Sequence, residues 1–180
     1  SLLLKKVGFD YGDTFKLEDI DLSIPEGSFL ALIGPNGSGK TTLLQLMSGL
    51  LDPRSGRIAL DGQPLDQLSR SQLARQMAVI SSEQHFEFPF PVAEVVTMGR
   101  FPYLGRFEKL TRGDREIVDE ALEWTQTLHL RDRPISQLSS GERQRVLIAR
   151  AVAQKPSILM LDEPNVHLDL NHQIAIFRLL

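Results

Sequence analysis

The sequence contains no cysteine, so it forms neither a disulfide nor a thiolate metal centre. That absence suits the cytosol without singling it out, because lacking cysteine costs nothing in any compartment. No apolar run approaches the ~18 residues needed to cross a bilayer as a helix. The opening Ser1, Leu2, Leu3 and Leu4 are too short for the apolar part of a secretion signal, so none is expected ahead of the first strand. An excess of charge is missing too. The 20 Lys and Arg against 23 Asp and Glu leave a net charge of −3, which gives no general attraction to nucleic acid or anionic lipid. Internal repeats and low-complexity segments are also lacking. The rest is ordinary for a globular chain: 180 residues, 42% hydrophobic and 24% charged, enough for one domain with a sizeable core.

The most informative stretch is GPNGSGKTT at residues 34–42. It fits G-x-x-x-x-G-K-[ST], with Gly34, Gly39, Lys40 and Thr41 at the fixed positions. In such a loop, here Gly34, Pro35, Asn36, Gly37, Ser38 and Gly39, glycines let backbone N–H groups turn inward as an anion nest. Lys40 adds a point charge for the outer phosphates, the Thr41 hydroxyl can ligate Mg²⁺, and Thr42 continues into the next helix. That helix would aim its positive end at the same anion. The flanks agree with the pattern. Residues 29–33 form an apolar run that reads as a buried strand, and Leu43, Leu46, Met47 and Leu50 follow helical spacing.

Further along, residues 2–9 and 15–24 read as strands separated by turns. Residues 57–60 read as a strand, 69–76 as a polar helix and 78–80 as a short buried strand. Aromatics and prolines crowd residues 86–91, then 92–98 look helical and 99–107 form an irregular aromatic, basic loop. Thr111-x-x-Asp114 opens a helix in capping-box style, with Ile117, Val118, Ala121, Leu122 and Leu128 on one side. Ser139-x-x-Glu142 is a better box. Its helix runs to about Gln154, with Val146, Ile148, Ala149 and Val152 inward and Arg143, Arg145 and Arg150 available outward. Residues 158–161 form a second buried strand, and a final helix is expected from about Leu168.

That last strand ends in Asp162-Glu163. It would carry both carboxylates to the edge of a sheet where open α/β folds bind ligands. Asp162 can hold Mg²⁺ directly or through water, and Glu163 can polarise an attacking water. Ser139, Ser140, Gly141 and Glu142 begin a helix whose N-terminus offers a second phosphate-binding surface.

This combination resembles the ATP-binding cassette (ABC) ATPases over the whole chain. Their signature is LSGGQ or LSGGE; here it is LSSGE, with Ser140 in place of a glycine, which implies reduced or tuned activity rather than loss. The resemblance implies a P-loop α/β core with an N-terminal antiparallel β subdomain and an inserted helical subdomain. Its parts would be residues 1–84 as core, 85–138 as helical subdomain, and 139–180 as signature helix and returning core. It implies that Tyr11 stacks on adenine and that Asp169 belongs to a loop communicating across a dimer. The glutamine that reaches Mg²⁺ in the family is either Gln84 or Ser82, with Gln84 favoured for its longer amide. The family's switch histidine has no counterpart. His172 sits inside the expected last helix, and His85, His129 and His167 read as ordinary polar surface. The core is therefore expected to lack its C-terminal part, and these 180 residues to bind nucleotide but hydrolyse it poorly.

Residues 88–107, including Met98-Gly99-Arg100-x-Pro102, resemble ATPase subunits of importers for iron-siderophores, haem and vitamin B12. The resemblance implies ATP and Mg²⁺, a homodimer sandwiching two ATP molecules, and an integral-membrane permease on this segment. It also implies an indirect link to a substrate-binding protein, at the cytoplasmic face of the inner membrane. The phenylalanines of the segment either contact the permease or fill the subdomain core. The alternative class is a soluble cassette ATPase acting on nucleic acid or ribosomes. It would favour a basic face, tandem cassettes or a long coiled-coil insertion, and the sequence has none of these.

Overall fold

A computed structural model describes residues 1–12, 15–81, 88–105 and 107–162. The chain divides into two compact units, Ser1–Leu73 and Ala74–Leu180.

The first unit holds an antiparallel sheet in the order β2-β1-β3-β4, from β1 (Leu2–Asp10), β2 (Lys16–Ile24), β3 (Ser55–Leu60) and β4 (Gln63–Pro64). β1 is central. Leu2 and Leu4 are buried with two-residue alternation, which is broken at Lys5 and Lys6. Lys6 sits at φ 48°, and the register shifts there against both neighbours. This bulge turns Val7 inward in place of the position the alternation would select. Gly56 faces it at φ 77°, and a Cβ there would lie 2.2 Å from the Lys6 carbonyl oxygen. Only glycine lets β3 approach that closely. Helix α1 (Lys40–Met47) follows the phosphate-type loop and buries Thr42, Leu46 and Met47.

Residues 29–33 are a correction. They form no strand among the described residues. Phe29 is 77% and Ile33 94% exposed. An apolar run signals a tendency to be covered. A strand also needs a neighbour to take its backbone hydrogen bonds, and none of the described strands pairs with it. Leu50 lies beyond the end of α1 and is exposed.

The second unit is built on α5 (Ser140–Ala153). One face of this helix carries Val146, Ala149 and Ala153, at i, i+3 and i+7. They join α3 (Val92–Thr97) and α4 (Arg112–Trp124) in a core with Val92, Val95, Val96, Val118, Ala121 and Leu122. The next face carries Leu147, Ile148 and Ala151, which pack on Ala78 and Ile80. Those belong to β5 (Met77–Ile80), paired in parallel with β6 (Ile158–Leu161) from Met77↔Ile158 to Ile80↔Leu161. Both strands thus end at the same edge. The expected helix at residues 69–76 is α2 (Arg70–Gln76). The expected helix at residues 92–98 is α3 followed by a 3₁₀ turn, Met98–Tyr103. Arg143, Arg145 and Arg150 are half-buried rather than outward. The Nε atoms of Arg143 and Arg145 are covered and have no hydrogen-bond partner among the described residues. The expected helix from Leu168 lies outside those residues.

Candidate nucleotide site

The first unit assembles the phosphate-type loop and its aromatic neighbour. The N-cap of α1 is Gly39, at φ 91° with no side-chain cap, and the first turn holds no acidic residue. Its early N–H groups are thus presented to an external acceptor, with the helix dipole behind them. Gly37 is also left-handed, at φ 80°. A Cβ on Gly39 would meet Phe15 Cζ at 2.8 Å and Leu17 Cδ2 at 2.9 Å, so both side chains would have to move, and at φ 91° any side chain is strained. The Lys40 ammonium donates to the Gly34 carbonyl at 3.0 Å and the Pro35 carbonyl at 2.9 Å, which holds the charge across the loop. Asn36, Ser38 and Thr41 are exposed.

Thr42 is buried, and its Oγ1 lies 3.3 Å from the Tyr11 hydroxyl. The Tyr11 ring meets Phe9 edge-to-face at 4.9 Å and Phe15 at a tilt at 5.9 Å. It nevertheless remains 55% exposed. An anchored, half-open aromatic face beside an anion-binding helix start matches the parts of a nucleotide: base on one side, phosphates on the other. The donors present fit ATP in kind, an ammonium and backbone N–H groups for phosphates and a π-face for adenine.

The second unit positions the other predicted groups. Ser139 caps α5 and closes a full capping box. The Glu142 N–H donates to Ser139 Oγ at 3.3 Å, while the Ser139 N–H and hydroxyl each donate to Glu142 Oε2 at 2.8 Å. The backbone N–H of Ser139, then its hydroxyl, holds the Glu142 carboxyl below its ordinary value. The arginines Arg133 and Arg145 add to this, and burial opposes it. Ser140 is exposed at the first helical position and Gly141 is buried at the second. Asp162 leaves β6 with its N–H bonded to the Ile80 carbonyl at 2.9 Å, at the carboxyl edge of the parallel pair.

Gln84, Glu163 and Asp169 lie outside the described residues, as do Ser82, His85, His167 and His172. No group of three or more His, Cys, Asp or Glu that would hold a metal occurs among the described residues. No helix there is long and apolar enough to cross a membrane.

Asp114 closes a second box at the start of α4. Hydrogen bonds from the Thr111 hydroxyl, then the Thr111 N–H, then Arg100 lower its carboxyl. For both acids the folded value lies below the unfolded one. Each therefore stabilises the fold in full above its unfolded value and loses that contribution as pH falls from there through the lower folded value. Thermal melts should give a flat Tm from pH 7 to about 5 and a steep fall below about pH 4.5. Glu142→Gln should remove part of the fall; a melt profile unchanged by it would dissociate the box from acid sensitivity.

The aromatic segment splits two ways. Phe88, Phe101 and Phe107 are exposed, while Phe90 packs against the helical core. Arg100, which the sequence places in a contact loop, is buried instead. Nothing local signals that burial, because its partners lie 14 and 53 positions away.

Comparison with known proteins identifies the family. The iron(3+)-hydroxamate import ATP-binding protein FhuC of Bacillus subtilis is 42% identical over 180 residues, all of this chain and 67% of that protein. The cobalamin import ATP-binding protein BtuD of Halobacterium salinarum is 42% identical over 158 residues, 88% of this chain and 39% of that protein. The chain thus spans between about two fifths and two thirds of the length of these relatives. Among solved structures, cbiO1 from Clostridium perfringens, part of the ABC transporter complex cbiONQ, superposes with a TM-score of 0.83 at 34% identity. That match covers 99% of this chain and 71% of cbiO1. The ABC transporter family profile matches residues 17–166, and with these relatives it establishes that the chain belongs to the ABC transporter family.

Proposed function

We propose that the chain is the ATP-binding and ATP-hydrolysing subunit of an ABC importer. It would power uptake of an iron-siderophore, haem or cobalamin-type substrate through separate permease subunits. The observation that carries this reading is the glycine-capped start of α1, with the Lys40 ammonium across the loop and Tyr11 anchored beside it. The import names of the relatives support the direction and the cargo class.

Two copies would sandwich two ATP molecules. Lys40 and the loop N–H groups hold the β- and γ-phosphates, and Tyr11 stacks on the base. On the family resemblance, Thr41, Asp162 and Gln84 would be the residues to ligate Mg²⁺, which would neutralise charge on the phosphates. Glu163 positions the attacking water, and Ser139, Ser140 and Gly141 close on the phosphates from the partner copy. Asp169 would carry the state of one site to the other. The subunit would sit peripherally on the cytoplasmic face of the membrane, its exposed aromatics Phe101 and Phe107 toward the permease and, through it, a substrate-binding protein. Functionally the chain would divide into core at residues 1–84, helical subdomain at 85–138 and returning core at 139–180.

The test is Glu163→Gln in the full-length protein. It should trap an ATP-bound dimer on size exclusion at saturating ATP, with turnover reduced about a hundredfold or more. A variant that stays monomeric under those conditions would overturn the sandwich or the role of Glu163.

A further inference from the structure

The segment bearing Phe101 is anchored by a partly buried network. The Arg100 Nε donates to Asp114 Oδ1 at 2.9 Å, and its Nη1 donates to the Ala153 carbonyl at 2.8 Å. The guanidinium lies 4.0 Å over the Tyr103 ring, whose hydroxyl donates to the Gln154 carbonyl at 2.8 Å. The Gln154 amide reaches in turn to the carbonyls of Ala74 and Met77, the latter at the start of β5. Arg75, whose guanidinium lies 5.3 Å from the centre of the same ring, donates to the Pro102 carbonyl at 2.9 Å. Several links converge on the last turn of α5. Arg100 places a positive charge at the negative end of that helix, while Ser139 and Glu142 cap its other end.

A buried charge is costly to desolvate, and a well-packed apolar residue commonly serves stability as well or better. What a guanidinium adds is direction: a planar fork that fixes two acceptors at once. We propose that Arg100, with Tyr103 stacked on it, is a positioning residue that aims the Ser139 end of α5 by fixing the helix at its Ala153 end. α5 has 14 residues. At that length, ~20 Å, a tilt of roughly 3° about its C-terminal end moves Ser139 by about 1 Å. A displacement of about 1 Å at a reacting centre can cost on the order of a hundredfold in rate. The proposal rests on the reading that the chain hydrolyses ATP with Ser139 at a phosphate.

The experiment is steady-state ATPase on the full-length protein with turnover counted per bound nucleotide, so that unfolded molecules drop out. Arg100→Lys keeps the charge but loses the fork. It should lower kcat about tenfold while KM for ATP stays within about twofold. Arg100→Met, which restores packing without direction, should give the same loss. In a cycle with Ser139→Ala, the double variant should be no slower than the slower single, because both changes act through one helix end. Losses that multiply, or Arg100→Lys with wild-type kcat, would overturn the proposal. A wild-type protein that turns over no ATP would instead sink the functional reading and the proposal with it.

Discussion

Lys40→Ala is expected to cut ATP turnover by about a hundredfold or more. The Lys40 ammonium lies over the loop, within hydrogen-bond reach of the Gly34 and Pro35 carbonyls. It is the cation that the motif itself supplies to the outer phosphates, whose charge grows as the terminal phosphoryl group leaves. Truncation removes that charge and leaves the glycine turn and the helix start in place. The described contacts of the side chain are to exposed loop carbonyls rather than to the core, so Tm should move by no more than a few degrees. Lys40→Arg should not rescue turnover, because a planar fork does not reproduce a compact ammonium in a tight turn. Steady-state ATPase and a thermal melt on the same preparation separate the two effects. Turnover within tenfold of wild type would remove Lys40 from the phosphates.

The second large effect concerns folding. Gly99→Ala should destabilise the protein by about 2–3 kcal/mol. A Cβ there would stand 2.2 Å from the Arg150 carbonyl oxygen and 3.3 Å from the Ala153 Cβ. The first obstacle is backbone inside a helix, which has no rotamer to yield. The 3₁₀ turn and α5 must part instead, and with them the buried cluster they share. For a chain of this size that corresponds to a fall in Tm of about 5–10 °C. Gly113→Ala is the matched control. It lies in α4, where an added Cβ comes no nearer than 3.8 Å to Thr111 Oγ1. Alanine there removes the backbone entropy penalty of a helical glycine, so stability should be unchanged or slightly higher. Urea melts of both variants decide it; equal stabilities would mean that the turn and α5 adapt at no cost.

The sequence made local structure legible wherever neighbours in the chain supply the decisive forces. The capping boxes Thr111/Asp114 and Ser139/Glu142 were readable because each closes over three residues, and both are fully formed. β1 and β2 followed from the turn residues that bound them, and α1 from helical spacing as far as Met47. The phosphate-type loop was legible for a related reason: glycines at positive φ, a lysine and a helix start carry their chemistry within nine positions.

Residues 29–33 and Arg100 show where that legibility ended. The apolar run has strand composition, yet Phe29 and Ile33 are exposed, because strand formation depends on a partner and not on the run alone. Arg100 looks from its neighbours like part of a surface patch with Phe101 and Tyr103. Its burial is decided by Asp114 and Ala153, residues that only tertiary packing brings within 3 Å. By itself, then, the sequence determined the chemistry on offer: an anion cradle, carboxylates after a strand and a capped serine helix. The tertiary structure decided which charges face solvent and which are locked inside. Burial is a property of the surroundings, and for these residues the surroundings come from distant parts of the chain.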